Sequence, residues 1–190
     1  MIAFFLVLRY TGALSGISYF TGSLLLKTGA MNAGMEAPLV AKSFNYNFKV
    51  KDLNGSVIDF KTFKGKTLFI NVWATWCGPC VTEFSDLMDI YHMYRGRDFE
   101  YISISADDPA NKDKALKFLK KKMASCTNYL FDSDDKYKLI EAIDPKWQGA
   151  LPYTILVEPG GKIVYGKQGR IDPAVMKMTI VDNRLIGRYY

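Results

Sequence analysis

Two cysteines separated by two residues, Cys77 and Cys80, stand between a predicted buried strand and a predicted helix. The apolar run 68–74 before them indicates the strand, and a helical spacing of apolar residues begins near Pro79. This order delivers Cys77 to the amino end of a helix, where unpaired N–H groups and the helix dipole favour an anion. Because the thiolate is the reactive form of cysteine, the pair is predicted to form a reversible disulfide and not a permanent one.

The residues around the two cysteines fit this placement. Pro79 suits a first helical turn, since proline lacks the N–H group that this turn leaves unpaired, and Gly78 with Pro79 forms a stiff bridge between the sulfurs. The first cysteine of such a pair is usually the more exposed and the more acidic, so Cys77 is predicted to be the nucleophile and Cys80 to resolve the mixed disulfide. An apolar stripe is predicted to pack this helix on a sheet: Val81, Phe84, Leu87, Met88 and Tyr91.

The stretch 71–83, N-V-W-A-T-W-C-G-P-C-V-T-E, resembles the active site of thioredoxin-fold oxidoreductases, and among them the TlpA/ResA-like envelope proteins. Asn71 stands where thioredoxins carry a buried aspartate. TlpA/ResA-like proteins instead carry a buried glutamate three residues after the second cysteine, which is the position of Glu83. On a helix Glu83 lies one turn after Cys80 on the same side, although it falls outside the apolar stripe. Burial would raise its pKa and make it a catalytic proton acceptor and donor for Cys80, whereas the alternative is a solvated surface glutamate.

A second segment, 147–154, reads W-Q-G-A-L-P-Y-T and leads into a predicted apolar strand. Thioredoxin-like proteins have a cis-proline at this place, and Pro152 is the matching residue. A cis bond lets the backbone before the proline face the cysteine pair and hydrogen-bond an extended substrate segment. The resemblance therefore implies a substrate-binding set around the two cysteines: Trp76, Gly78, Pro79, Leu151 and Pro152.

The order of predicted elements is hairpin, strand, helix, strand, then an inserted helix, strand and helix, then a hairpin and a closing helix. Asn54-Gly55 signals the first hairpin and Pro159-Gly160-Gly161 the second. This order and the resemblance predict an α/β fold, a thioredoxin-like three-layer α/β/α sandwich with a mixed sheet, an N-terminal β-hairpin and a central helix–strand–helix insertion. In the insertion, a helix over 109–123 is predicted to bury Ala115, Leu116, Leu119 and Met123, and Asp132 or Ser133 to cap the second helix.

Residues 1–34 differ from the rest of the chain. They contain no acidic residue, and 17 uncharged residues separate Arg9 from Lys27, near the lower limit for a membrane-spanning helix. We expect 1–34 to be a hydrophobic leader and 35–190 to be the thioredoxin-like domain. An uncleaved anchor in the inner membrane is the favoured interpretation, and an atypical cleaved signal or the end of a longer membrane protein are the alternatives. Each places the catalytic domain outside the cytoplasm, in the cell envelope of a bacterium.

Composition argues against two other classes of protein. The net charge of +6 is modest, and a lysine-rich helix face does not make a nucleic-acid groove, so no nucleic-acid partner is expected. Beyond the cysteine pair only Cys126 and His92 could bind zinc, so no metal site is expected, and no cofactor besides the redox-active Cys77–Cys80 disulfide. Cys126 is predicted to be a buried core thiol, with a regulatory or intermolecular thiol as the alternative.

These observations predict a thiol:disulfide oxidoreductase that reduces disulfide-containing envelope proteins and is recycled by a membrane-linked dithiol donor. The resemblance implies apocytochrome c as one substrate class. Two alternatives stay open: an oxidase or isomerase on the same fold, and a non-enzymatic binding module with a structural disulfide. A peroxiredoxin is disfavoured, because the T-x-x-C pattern of that family is absent before Cys77.

Overall fold

A computed structural model describes residues 43–96, 98–131 and 136–182. Its seven described strands are β1 (Lys49–Asp52), β2 (Val57–Asp59), β3 (Thr67–Trp73), β4 (Phe99–Ser105), β5 (Thr127–Leu130), β6 (Tyr153–Val157) and β7 (Ile163–Gln168). The described α-helices are α1 (Gly78–Tyr94), α2 (Lys112–Lys121), α3 (Lys136–Ile143) and α4 (Pro173–Asp182). Two short 3₁₀ helices, Phe60–Phe63 and Pro109–Asn111, precede β3 and α2. The order of elements is the predicted one.

All seven strands form one sheet in the order β2-β1-β5-β4-β3-β6-β7. The central strands β3, β4 and β5 are parallel, whereas β6, β7, β1 and β2 pair antiparallel to their neighbours. The sheet is therefore mixed, as predicted. Strand β3 lies between β4 and β6, and every one of its residues is buried, which explains its almost continuous apolar sequence.

Alternate residues of the central strands pack into two separate apolar clusters, one on each face of the sheet. From β3, Phe69 and Trp73 join the cluster that contains the buried side chains of α1, α2 and α4. Leu68, Ile70 and Val72 join the other, which contains Ile143 of α3 and the aromatic rings of the first 3₁₀ helix. The sheet is thus the middle of three layers, and the predicted α/β/α sandwich is confirmed.

Both predicted hairpins are present. Gly55 has φ +92°, a left-handed conformation that glycine adopts without steric cost, and its N–H donates to Asp52 O at 3.0 Å. Gly161 has φ +86° and closes the second hairpin by donating to Glu158 O at 2.8 Å. The hairpin of β6 and β7, at the sheet edge opposite β2, is therefore closed by a tight turn at the predicted glycines.

The predicted buried face of α2 is partly wrong. Ala115 and Leu119 are buried, but Leu116 is 36% exposed and Met123 is 83% exposed. The helix ends at Lys121, before Met123, which takes a left-handed φ of +50° while the N–H of Ala124 donates to Leu119 O at 3.0 Å. Such a closing bond ends helices and turns the chain away, so Met123 leaves the stripe.

Several expectations lie outside the described residues: the leader 1–34, the boundary at 34/35, and the caps Asp132 and Ser133. Among residues 43–96, 98–131 and 136–182, none of the helices combines the length and the apolar character needed to span a membrane.

Candidate active site

The turn between β3 and α1 places the two cysteines at a helix start. After Trp73 the chain turns so that the N–H of Cys77 donates to Ala74 O at 3.1 Å, and α1 begins at the next residue. Cys77 is the N-cap, and its sulfur accepts the N–H of Cys80 at 3.3 Å. A sulfur in this position also faces the positive end of the helix dipole. The predicted placement of Cys77 at the amino end of a helix is therefore confirmed.

Cys77 and Cys80 are joined in a disulfide, with their Cα atoms 5.3 Å apart. Cys77 is 6% exposed and Cys80 is 1% exposed, so the first cysteine is the more accessible, although both are buried. Their sequence neighbours Gly78, Pro79 and Trp76 are exposed, and Trp76 is 70% exposed.

Glu83 is fully buried, with 0% of its surface exposed, one turn after Cys80. Its Oε1 accepts from Asn71 Nδ2 at 3.3 Å and its Oε2 accepts the N–H of Ile171 at 3.1 Å. Burial raises the pKa of Glu83 above its usual value, while these two hydrogen bonds and the charge of Arg170 act in the opposite direction. A carboxyl group in such surroundings can hold or release a proton nearer to neutral pH.

The segment before β6 forms the other side of the site. The Leu151–Pro152 peptide bond is cis, as the resemblance implies, and Pro152 is buried. In the β3–β6 register Val72 pairs with Tyr153, so Pro152 lies beside the end of β3 that leads to Cys77. Leu151 is half-buried and packs against the apolar cluster that also contains both cysteines.

Aromatic and polar contacts hold the segment before β6 in place. The rings of Trp147 and Tyr153 are stacked, with centroids 4.9 Å apart and planes 9° apart. Trp147 Nε1 donates to Ala150 O at 2.8 Å, and the Tyr153 hydroxyl donates to the buried carboxylate of Asp144. These contacts tie the residues before Pro152 to the start of β6.

Asp107, which the motif analysis did not identify, ties the turn before Cys77 to the end of β4. Its carboxylate accepts the N–H of Thr75 at 3.0 Å, the Thr75 hydroxyl at 2.6 Å and the Ser105 hydroxyl at 2.8 Å. The parallel register pairs Trp73 with Ser105, so the two strands end at the same level. Thr75 and Asp107 each lie two residues after the end of their strand, and it is the parallel pairing of the two strands that brings them together.

The structure thus brings the predicted site residues to one region formed by the start of α1 and the segment before β6. The start of α1 carries Trp76, Cys77, Gly78, Pro79, Cys80 and Glu83, and the segment before β6 carries Leu151 and Pro152. The sequence motifs do not identify three residues that bind Asn71, Thr75 and Glu83 from other elements: Thr154, Asp107 and Ile171. Cys126 is buried, as predicted, and His92 is exposed and hydrogen-bonded to Ser125.

A sheet between helices with a cysteine pair at the start of α1 defines a thioredoxin-like protein with a thiol–disulfide site. Residues 42–166 match the family model described as AhpC/TSA family, and the chain belongs to that family. The thiol-disulfide oxidoreductase ResA of Bacillus thuringiensis subsp. konkukian is 34% identical over 158 residues, covering 80% of this chain and 75% of the relative. ResA of Bacillus subtilis is 29% identical over 135 residues, covering 71% and 66%.

Solved structures agree on the fold. The thioredoxin domain of a thiol-disulfide oxidoreductase from Bacteroides vulgatus superposes with a TM-score of 0.62 at 23% identity, covering 78% of this chain and 99% of that one. A thiol:disulfide interchange protein of the thioredoxin family from Chlorobium tepidum gives a TM-score of 0.62 at 18% identity, covering 77% and 99%. The ResA relatives and the Cys77–Cys80 pair make the chain a thiol-disulfide oxidoreductase, an enzyme whose substrates are disulfide-containing proteins.

Proposed function

We propose that this enzyme reduces disulfides of proteins outside the cytoplasm, with Cys77 as nucleophile, Cys80 as resolving thiol and Glu83 as the proton acceptor and donor. The observation that carries the proposal is the fully buried carboxyl group of Glu83, one turn after Cys80, with a pKa raised by burial. A structural disulfide needs no such group. A resolving thiol does, because it must lose its proton before it attacks.

The reaction transfers two electrons from the enzyme to the substrate. The Cys77 thiolate attacks one sulfur of the substrate disulfide, the second substrate sulfur leaves as a thiolate that takes up a proton, and a mixed disulfide forms. The Cys80 thiol gives its proton to Glu83 and attacks the Cys77 sulfur. The substrate thiolate is released and takes a proton, so one enzyme dithiol becomes a disulfide and one substrate disulfide becomes two thiols.

Substrate contact is proposed for the exposed residues beside the sulfurs and for the segment before β6. Trp76 offers a large exposed apolar ring, and a Cβ added at Gly78 would meet no atom within 4 Å, so the surface next to Cys77 is open. Leu151 and Pro152 lie at the start of the strand next to β3. An extended substrate segment that crosses here can add main-chain hydrogen bonds to the contact with Trp76.

The proposed location is the cell envelope of a bacterium, with residues 1–34 as an anchor in the inner membrane and a membrane-linked dithiol donor as the source of electrons. This rests on the absence of acidic residues in 1–34 and on the 17 uncharged residues between Arg9 and Lys27. Spheroplasts that express the full chain test it. Added protease should degrade the thioredoxin-like domain while a cytoplasmic protein survives, and protection of the domain would refute the location.

A trapping experiment tests the assigned roles. Cys80→Ala should accumulate disulfide-linked complexes with envelope proteins, because the mixed disulfide on Cys77 can no longer be resolved. The matched controls are Cys77→Ala/Cys80→Ala, which should trap nothing, and Cys126→Ala, which should behave as wild type. If Cys80→Ala traps no protein while the wild type turns over disulfides, the assignment of Cys77 as nucleophile is wrong.

The direction of electron flow is tested by the reduction potential of the Cys77–Cys80 pair. The potential of a reductant should lie near the roughly −270 mV of thioredoxin, whereas a value near −120 mV would indicate an oxidant.

A disulfide-closed peptide with a C-x-x-C-H haem attachment sequence is a suitable substrate, since apocytochrome c belongs to the proposed substrate class. Reduction of this peptide should be faster than reduction of a size-matched peptide that lacks the histidine. Equal rates would remove the preference for apocytochrome c.

A further inference from the structure

The side-chain amide of Asn71 is bonded at one end only. Asn71 lies in β3, is 0% exposed, and pairs in register with Thr154 of β6. Its Nδ2 donates to Thr154 Oγ1 at 3.0 Å and to Glu83 Oε1 at 3.3 Å. Its Oδ1 has no hydrogen-bond partner among the described residues. A buried amide oxygen without a donor is unfavourable, so the amide is held in this orientation by its nitrogen alone.

This orientation of the Asn71 amide suits the ionised form of Glu83. An ionised carboxylate only accepts hydrogen bonds, and Asn71 Nδ2 and the N–H of Ile171 are both donors. A protonated carboxyl group also has an O–H group to donate. If that proton sits on Oε1, it faces the Asn71 Nδ2 hydrogen that is donated to Oε1, and the contact changes from attractive to repulsive.

A half-turn of the amide removes this conflict. The two ends of a carboxamide have nearly the same shape, so the turn needs no repacking of the surrounding core. It brings Oδ1 of Asn71 opposite the O–H of Glu83, and the hydroxyl of Thr154 can donate as readily as it accepts. The oxygen that had no donor then has two and the NH2 group gives up the Thr154 and Glu83 oxygens, while the N–H of Ile171 keeps its bond to Glu83 in both states.

We propose that Asn71 is a positioning residue for Glu83, and that its amide turns over when Glu83 takes up or releases a proton, so that the carboxyl group keeps a hydrogen bond to residue 71 in both states. The inference deepens the proposed function, because it rests on Glu83 exchanging a proton with Cys80 during each reaction cycle. An aspartate at position 71 could not act this way. It would place a second carboxyl group against Glu83 in a buried site, where the two groups cannot both ionise easily.

Other titratable and charged groups face Glu83 from the surrounding elements. Asp86 on α1 and Tyr101 on β4 interact with it electrostatically, as does Arg170 on the segment after β7. Arg170 and Asp86 also form an exposed pair at 3.7 Å, so their charges act on Glu83 in opposite directions and are partly screened by solvent. Cys80 belongs to the same turn of α1, and it does not titrate in the disulfide form. The oxidised protein therefore isolates the response of Asn71 to Glu83.

NMR on the oxidised wild-type protein tests the inference directly. The Glu83 carboxyl carbon gives the titration midpoint, and nuclear Overhauser contacts from the Asn71 amide hydrogens report which way the amide points. The contacts to the Thr154 side chain should be strong above the Glu83 midpoint and should be lost below it. Glu83→Gln should show one set of contacts at every pH. Contacts to Thr154 that persist unchanged below the midpoint in the wild type would overturn the inference.

A second measurement uses Asn71→Asp, with Asn128→Asp on β5 as the matched control. Two adjacent carboxyl groups titrate as a coupled pair, so the upper midpoint of oxidised Asn71→Asp should rise by about one pH unit or more, and the control should leave the Glu83 midpoint unchanged. An unshifted midpoint in Asn71→Asp would count against the contact. If the amide turns as proposed but the pH profile of thiol exchange does not follow the Glu83 midpoint, the inference stands and the role of Glu83 in the reaction is wrong.

Discussion

Replacing Asp107 by alanine should destabilise the enzyme, because this carboxylate joins the turn before Cys77 to the end of β4. It accepts three hydrogens, two from Thr75 and one from Ser105. Thr75 is half-buried, so its freed N–H and hydroxyl can bond water, at a net loss of about 0.5–1.5 kcal/mol each. Ser105 is 1% exposed, and leaving its hydroxyl without an acceptor costs about 1–3 kcal/mol.

Removing the buried carboxylate also removes the cost of taking its charge out of water, which offsets part of this loss. We therefore expect Asp107→Ala to lower the free energy of unfolding of the oxidised protein by about 2–4 kcal/mol. Urea unfolding, followed by circular dichroism with the slope compared to wild type, measures it.

The neighbouring residue provides a matched control. Asp108 is exposed, and its side chain accepts the N–H of Ala110 at 2.8 Å at the start of the 3₁₀ helix before α2. Asp108→Ala should cost about 1 kcal/mol or less, as for an ordinary helix cap. If Asp107→Ala loses no more stability than Asp108→Ala, the carboxylate of Asp107 does not hold the turn, and the energetic reasoning from its three bonds is refuted.

Three further predictions concern buried groups. Burial raises the pKa of Glu83 above 4.5, so its contribution to stability is complete below about pH 4.5 and is lost as the pH rises through the raised pKa. The free energy of unfolding in urea should therefore fall with pH in the oxidised wild type and in the exposed-site control Glu141→Gln, but this fall should be absent in Glu83→Gln. Equal pH dependence in the two variants would contradict the prediction. Burial raises the pKa of Cys126 to about 12, so at pH 8 about one thiol in 10⁴ is ionised. Iodoacetamide should therefore label Cys126 slowly in the oxidised native protein and rapidly in urea. Equal labelling rates would show the thiol to be accessible. Tyr153→Phe removes a donor from the buried Asp144 carboxylate and should lower the free energy of unfolding, measured in urea, by about 1–3 kcal/mol. An unchanged urea midpoint would show that the hydrogen bond from Tyr153 to Asp144 does not stabilise the fold.

The parts of the site that follow from local sequence were predicted. An apolar run, a turn and a proline at the first helical positions are enough to place Cys77 at the start of α1. Glycines in Asn54-Gly55 and Gly160-Gly161 were enough to locate both hairpins. In each case the information lies within about ten residues, and the tertiary structure does not compete with it.

The parts that depend on strand register were not predicted. Asp107 contacts Thr75 only because β3 and β4 end at the same level, and Asn71 meets Thr154 only because β6 pairs antiparallel with β3. Neither pairing can be read from residue spacing. The apolar pattern also misplaced Met123 on a buried face, because a left-handed residue after Lys121 ended the helix earlier than its hydrophobic spacing indicated.

The hydrogen bond from Ile171 to Glu83 joins residues 88 positions apart, so its donor is synthesised well after the carboxyl group that accepts it. A ribosome that adds about 5–20 residues per second makes Cys80 roughly 5–20 s before it makes Ile171. During that interval the carboxyl group of Glu83 lacks its backbone donor. Both cysteines and Glu83 are therefore present in the growing chain before the backbone group that binds Glu83 has been made.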